Sequence, residues 1–285
     1  MSLVLGLLVL AGCEAGEERE YRGHLYFGAG AYLGQMDLRD GSITVLANLG
    51  DTVILELDDF GDEQLLLTVF GPVNHKDTFR LMQYELGNGG LATFIIGRHG
   101  RYLPEPEALI YDEGAHLKVR LYGGNAMEEL TVIQHRFGAA AHVRQVSDAQ
   151  FLYSVDPDSA IFLFDVDSRV SEPLPELSAQ CSLDGALWIH KIGALLCKRG
   201  GGDPNYALIS LAGEIQEVLA IPDAGSFRAI AYLDDQDALV LTEAWNTIVS
   251  GSARHAVWIY DLKNDRMVRL VKDQYLGQSV VYRTN

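Results

Sequence analysis

Basic residues are scarce in this chain. Its 22 Lys and Arg stand against 39 Asp and Glu, a formal net charge of −17 over 285 residues. Phosphate binding draws on a basic footprint and released counterions, so this balance excludes nucleic acid and an anionic membrane surface as partners. Acidity also serves simply to keep a large β protein soluble. Long helical patterns are missing, and so are polar low-complexity tracts of the kind that stay unfolded. The eight histidines never occur as His-x-x-x-His and no Cys-x-x-Cys is present, so no metal or other cofactor has a local signature. No Gly-x-Ser-x-Gly elbow exists for a serine hydrolase. Asp-rich turns such as Asp156-Pro-Asp158 lack the spacing of a calcium loop. The glycine-rich stretch Lys198–Asn205 precedes a strand rather than a helix, which removes the phosphate-cradle reading.

What is present is a repeated turn. Six times an apolar run ends in a short polar turn and restarts, over residues 35–46, 83–94, 120–130, 163–174, 209–219 and 259–270. Successive copies lie roughly 37 to 50 residues apart, about the length of one four-stranded propeller blade. The runs are short, rich in Val, Ile, Leu, Phe and Tyr, and bounded by Gly, Asn, Asp and Pro. Taking each turn as the link from third to outermost strand predicts blade two as 53–57, 64–69, 79–85 and 91–96. Blade four becomes 142–146, 151–155, 160–166 and 170–174, and blade six 227–232, 238–242, 256–262 and 267–271.

Blade one has three strands near the amino terminus, 24–27, 32–38 and 43–47, and one strand is left over at 278–283. Inserting the leftover as the innermost strand of blade one closes the ring and removes an exposed edge. The expected fold is therefore all-β, a six-bladed β-propeller closed by its C-terminal strand. Two β-sandwich domains are the alternative, since short strands every 8–12 residues suit them too.

The amino terminus carries a location signal. Leu3–Leu10 is an apolar run far short of the roughly 20 residues that span a bilayer as a helix, and small residues follow it. This start resembles bacterial lipoprotein signal peptides, with Leu10-Ala11-Gly12-Cys13 matching the lipobox. The resemblance implies cleavage before Cys13, which then carries acyl chains such as palmitate as the new first residue. Residues 1–12 would be the signal peptide, 13–22 an acidic tether, and 23–285 a single propeller domain. Glu14 is not the Asp that retains such proteins at the inner membrane of enteric bacteria, so the resemblance favours the periplasmic face of the outer membrane. The competing reading makes residues 3–10 a buried strand of a cytoplasmic protein. Cys181 and Cys197 remain, and an exported chain allows a disulfide between them; two buried thiols are the alternative.

The stretches Cys181-Ser-Leu-Asp-Gly-Ala-Leu-Trp188 and Val146-Ser-Asp-Ala-Gln-Phe-Leu-Tyr153 resemble the blade signature of the Tol-system propeller and its WD-repeat-like relatives. That likeness implies the fold and leaves activity open.

Propeller geometry sorts loops onto two faces. Loops between blades and between second and third strands share a first face, where His75, Lys76, Arg98, His99, Arg101, Tyr102, His135, Arg136, Lys198, Arg199, Trp245, Arg254 and His255 are expected. Asp112, Glu113, Asp156, Asp158 and Asp203 fall there too, making the first face mixed in charge, while Asp58, Asp59, Asp62, Glu63, Asp148, Asp167, Asp234, Asp235 and Asp237 fall on the opposite, acidic face. Arginine and aromatic residues are the types enriched at interaction hot spots, and 245–255 reads as the longest loop of the first face. The alternative is ordinary solvated loops with Trp245 packed between blades. The leading functional expectation is a lipid-anchored scaffold in the cell envelope that binds a protein or peptide through this face. The rival is a hydrolase or lyase acting on a periplasmic carbohydrate or lactone in the central channel.

Overall fold

Aspartate at a strand end organises the repeated turn. Asp37, Asp165 and Asp261 each close a third strand, and their carboxylates accept amide protons from the turn that follows. The donors are Arg39 at 2.7 Å, Ser168 at 2.8 Å, and Lys263 and Asn264 at 3.0 Å. Asn88 does the same for Gly90 at 2.6 Å. Short polar side chains that bond the backbone two or three residues on reverse the chain without help from distant residues.

The structure is a computed structural model and describes residues 21–61, 63–74, 76–122, 127–136, 141–155, 158–199, 206–219, 221, 227–246, 253–272, 276 and 280–284. Its strands make six four-stranded antiparallel blades in a ring, a six-bladed β-propeller. Blade one holds β1 (His24–Ala29), β2 (Tyr32–Asp37) and β3 (Ile43–Asn48). Blade two holds β4 (Val53–Asp59), β5 (Gln64–Val73), β6 (Lys76–Glu85) and β7 (Leu91–Ile96), and blade three β8 (Arg98–Leu103), β9 (Ala108–Glu113), β10 (His116–Leu121) and β11 (Glu128–Gln134). Blade four holds β12 (Ala141–Gln145), β13 (Gln150–Val155), β14 (Asp158–Asp165) and β15 (Val170–Pro173), after which comes the short helix α1 (Pro175–Gln180). Blade five holds β16 (Leu187–Ile189), β17 (Ala194–Lys198), β18 (Tyr206–Ile209) and β19 (Ile215–Leu219), and blade six β20 (Phe227–Leu233), β21 (Ala238–Asn246), β22 (Ala253–Asp261) and β23 (Arg266–Lys272). The last strand, β24 (Val280–Arg283), is the innermost strand of blade one.

All six repeated turns link third to outermost strands, as expected. In five of the six blades the pairing across that link carries a bulge, for example at Leu33/Gly34 and Leu81/Met82. A bulge adds local twist, which turns the outer strand away from the plane of the inner ones.

The core lies between blades. One apolar cluster fills each junction: Leu65, Leu67 and Met82 meet Tyr26 and Leu33 between blades one and two, and Leu66 and Leu81 meet Leu109 and Tyr111 between two and three. Equivalent clusters join three to four, four to five, five to six, and six back to one. Closure is completed by backbone pairing of β24 with β1, with Val280 opposite Phe27 and Val281 opposite Tyr26. The Tyr282 hydroxyl donates to Asp235 at 2.7 Å and accepts from Gln236 at 2.6 Å. Arg283 pairs with Asp59 of β4.

Two sequence expectations change. Residues 245–255 are not one long loop: β21 and β22 continue, with Trp245 paired to Arg254 and Ala244 to His255. Residues 98–102 are not a loop either but belong to β8, the innermost strand of blade three. Cys181, just beyond α1, is joined by a disulfide to Cys197 in β17, with Cα atoms 5.7 Å apart. Both sulfurs sit in the apolar junction between blades four and five.

Removing residues 280–285 would bare the β1 edge and open the ring. The melting midpoint should fall by at least roughly 10 °C, several kcal/mol at about 2–4 °C each for a chain of this size; calorimetry on the shortened chain measures this. Replacing both Cys181 and Cys197 with Ala should cost about 3 kcal/mol in urea unfolding, from the loop-closure entropy of a bridge of this separation.

Candidate functional site: the central channel

Each inner strand is fed from the outer strand of the preceding blade, so all six run from the first face to the opposite one. Consecutive inner strands touch around the ring, β24 meeting both β4 and β20. Their side chains line a cavity of about 400 Å³. Its charged lining comes from β4 (Glu56, Asp58), β8 (His99, Arg101), β12 (His142, Arg144), Asp184 ahead of β16, His190 beyond it, and Arg228 of β20. Trp188 supplies the aromatic wall. A second cavity at the opposite mouth is lined by Asp59, Asp234, Asp235, Tyr102, Tyr282 and Arg283, and shares Asp58 and Gln145 with the first.

A bulge in β8 brings His99 and Arg101 to one carboxylate. The register with β9 shifts between Arg98 and Arg101, and His99 takes the left-handed conformation, φ 55°. Side chains at i and i+2 of a strand share a face, but an inserted residue changes how each side chain points. His99 Nδ1 thus lies 2.9 Å from Glu56 Oε1, and Arg101 Nη1 donates to Glu56 Oε2 at 3.4 Å. Gly100 between them is closely packed: a Cβ there would come within 2.9 Å of the Leu66 and Leu81 side chains, which would have to shift. Its amide donates to Thr68 Oγ1 at 3.2 Å, which holds the bulge to blade two.

The two carboxylates of β4 have opposite acid–base character. Burial raises Glu56, but Arg101 and His99 together outweigh it and hold the carboxyl at about 2. Burial also raises Asp58, and there Arg101 and the Tyr102 amide, which donates at 2.9 Å, do not offset it; the value is about 6. Neighbouring acids pushed apart in this way give one ionised and one protonated group at mildly acidic pH.

Arg144 is held differently. Its Nε, Nη1 and Nη2 donate to the carbonyls of Ala186 (2.5 Å), Val143 (2.7 Å) and Leu183 (2.9 Å). Burial first, then repulsion from Arg101, lowers its pKa to about 10, so it stays cationic at neutral pH.

The expected first-face residues are distributed unevenly. Arg98 and His135 converge not on the surface but on Asp112, at 2.8 and 3.1 Å, with the Asp112 side chain fully buried. The two contacts tie the start of β8 and the residue after β11 to β9. His99 and Arg101 line the channel, and Tyr102 lines the opposite mouth. Arg136 is exposed beyond β11, Lys76 starts β6, and Lys198 ends β17, its ammonium donating to the Phe227 carbonyl at 3.3 Å. Arg199 follows on the same face, and His255 is half-buried in β22. Cys13, Asp62, His75, Asp156, Asp203 and the side chains of Asp158, Trp245 and Arg254 lie outside the described residues. On the opposite face Arg283 pairs with Asp59, and Asp58 is drawn into the channel lining.

Glu56, Arg144 and Arg228 were not singled out from sequence. Arg228 is a lone charge inside the apolar run of β20, a signal the sequence carries; Glu56 shares β4 with Asp58 and Asp59, and Arg144 stands between Val143 and Gln145 in a mixed strand, so neither is marked out in that way. Among the described residues no three His, Cys, Asp or Glu are placed to hold a metal ion.

No protein-family model matches the sequence, and no curated protein matches it. Solved structures do match in fold. A chain in the crystal structure of a nidogen/laminin complex superposes with TM-score 0.61 at 14% identity, covering 90% of this chain and 95% of that one. TolB from Acinetobacter baumannii gives 0.59 at 9% identity, over 90% of this chain and 65% of that one. A putative 6-phosphogluconolactonase from Bacteroides uniformis gives 0.52 at 9%, over 90% and 84%. These likenesses are to the propeller, a fold that hosts unrelated activities.

The raised carboxyl of Asp58 has a measurable consequence. The unfolded chain ionises it near the ordinary 3.8 and the folded chain only near 6, so it draws stability down as pH rises through that window and keeps it down above. The two-unit displacement corresponds to about 3 kcal/mol. Asp58→Asn should therefore match the native chain in urea unfolding at pH 3.5 and exceed it by a few kcal/mol at pH 8; a difference that does not change with pH contradicts the assignment.

Proposed function

We propose that the protein is a lipid-anchored propeller of the cell envelope that binds an envelope protein or peptide at the first-face mouth of its channel. The observation that carries this reading is the cavity itself. Inner-strand residues surround it from Ala141 and Val280 at first-face ends to Asp58 and Gln145 toward the opposite mouth, together with the first-face segment before β16, with Arg144, Arg228 and Trp188 among its lining. Arginine and tryptophan in a concave, partly desolvated setting are the residues on which interfaces concentrate binding energy. Lys198, Arg199 and Arg136 lie on the same face as a polar rim. The anchor rests on the lipobox-like segment ending at Cys13. Among the described residues no helix is long and apolar enough to cross a membrane. Multiple acyl chains at about 0.8 kcal/mol per buried methylene would hold the protein stably at a bilayer.

One observation favours a second reading. Glu56 and Asp58, two positions apart on β4 with pKa values displaced in opposite directions, form the kind of acid–base pair a hydrolase or lyase acting on a carbohydrate or lactone would use. Glu56 is already engaged by His99 and Arg101, which suits a fixed ion pair better than a group free to exchange protons. The binding reading is therefore preferred.

Two measurements test it. Metabolic labelling with radioactive palmitate should mark the native chain and not Cys13→Ala, with membrane association lost together with the label; a labelled alanine variant overturns the anchor. A photo-crosslinker placed at Lys198 should give one discrete envelope adduct, and the same group at Val170 on the outer rim should not. Identical adduct patterns from both positions would contradict a first-face site.

A further inference from the structure

The geometry points to a carboxylate on the incoming ligand as the group the channel recognises, with Arg144 as its principal partner and Arg228 as its second. The inference rests on the first-face reading above and specifies its chemistry.

Arg144 is the buried channel arginine that no acidic side chain among the described residues pairs with. Arg101 spends its guanidinium on Glu56 and on the Gly100 carbonyl. Among the described residues Arg144 has no carboxylate at ion-pair distance, and its three hydrogen bonds all go to backbone carbonyls. Those carbonyls fix the guanidinium plane without neutralising it. Two acids reach it only by their fields, Glu56 and Asp184. Glu56 is already shared between Arg101 and His99, and Asp184 is exposed to solvent at the rim. Arg101 and Arg228 add repulsion. A guanidinium has five N–H donors in a rigid fork that matches a carboxylate, and three bonds leave two donors for a ligand. An anion placed there would relieve the repulsion among Arg144, Arg101 and Arg228, so its binding draws on preorganised charge rather than on rearrangement.

Size narrows the ligand. A cavity of about 400 Å³ is at the small end of ligand pockets, which run roughly 300–1,000 Å³. It admits a chain end or a small acid and not a folded domain. The opposite mouth, with Asp59, Asp234 and Asp235, repels an anion, so entry is from the first face. Two sources of carboxylate fit: the free C-terminus of a peptide and a small organic acid.

Calorimetric titration of the full-length protein in detergent with tri-alanine, tri-alanine amide and glutarate tests the inference. Tri-alanine or glutarate should bind with a dissociation constant in the millimolar range or below, and the amide at least tenfold more weakly than tri-alanine. The tighter of the two acids identifies the source. Arg144→Gln should weaken binding by about tenfold or more, the loss expected for a charged hydrogen-bonded partner. Arg144→Lys should fall between, because charge returns without the fork. Arg228→Gln, at an exposed position, should weaken binding less. Arg169→Gln, at an exposed ion pair with Glu128 in the outer rim, should change nothing. If Arg144→Gln fails to fold by circular dichroism, the lysine and Arg228 variants carry the test. Equal binding of tri-alanine and its amide, full affinity in both Arg144 variants, or no binding of either acid overturns the inference. A Lys198 adduct that persists while no probe binds removes the carboxylate assignment alone; probe binding without any specific adduct removes the macromolecular partner alone.

Discussion

No blade of this protein can bury its own two faces; each depends on the blade beside it. Among the described residues each of the six apolar clusters sits at one of the six junctions, so the hydrophobic driving force goes into making a ring rather than into making sheets. Small all-β units with one open face expose edges that template association, and a closed toroid removes the face problem at every junction together. The pairing of β24 with β1 is therefore not an ornament at the chain end. It supplies blade one with its inner strand and lets the junction clusters on both sides of that blade form.

The polar channel follows from the same arrangement. When the broad faces of the sheets are consumed at the junctions, the inner strands border the axis with backbone edges and the side chains that lean toward it. Charge is tolerated there only with partners, since an unpaired ion in a confined space loses hydration it cannot replace. Glu56 with His99 and Arg101 meets that requirement through side chains, and Arg144 meets it through carbonyl dipoles. The distinction separates a charge that belongs to the framework from one whose field remains available.

The architecture was legible because its signals are local. Gly, Asp and Asn mark each reversal, and counting strands at the two ends of the chain requires the last to join the first. Strand ends were less legible where pairing continues past the apolar run, as in β5–β6 and β21–β22, because backbone hydrogen bonding does not need hydrophobic side chains. Residues 98–102 read as a loop for a good reason: Arg-His-Gly-Arg-Tyr carries none of the marks of a strand. Its position was decided by tertiary packing of Gly100 against Leu66 and Leu81. The candidate site was hidden for the same cause. Arg98 and His135 look like surface residues until Asp112 is seen buried between them, and Arg144 looks like a solvated strand residue until six inner strands are assembled around it.

The hydrogen bonds of Arg22 and Tyr282 bear on orientation. The Arg22 carbonyl accepts from the Gln236 amide at 2.9 Å and lies 3.2 Å from the Tyr282 hydroxyl oxygen, and Gln236 lies in the hairpin turn between β20 and β21, on the acidic side of the ring. The polypeptide thus enters the toroid from that side. Eight residues lie between Cys13 and Arg22, and the nine steps reach at most about 30 Å when fully extended. A lipid at Cys13 would turn the aspartates toward the bilayer, where anionic headgroups would hold them at a distance, and would aim the arginine-bearing mouth outward into the surrounding compartment.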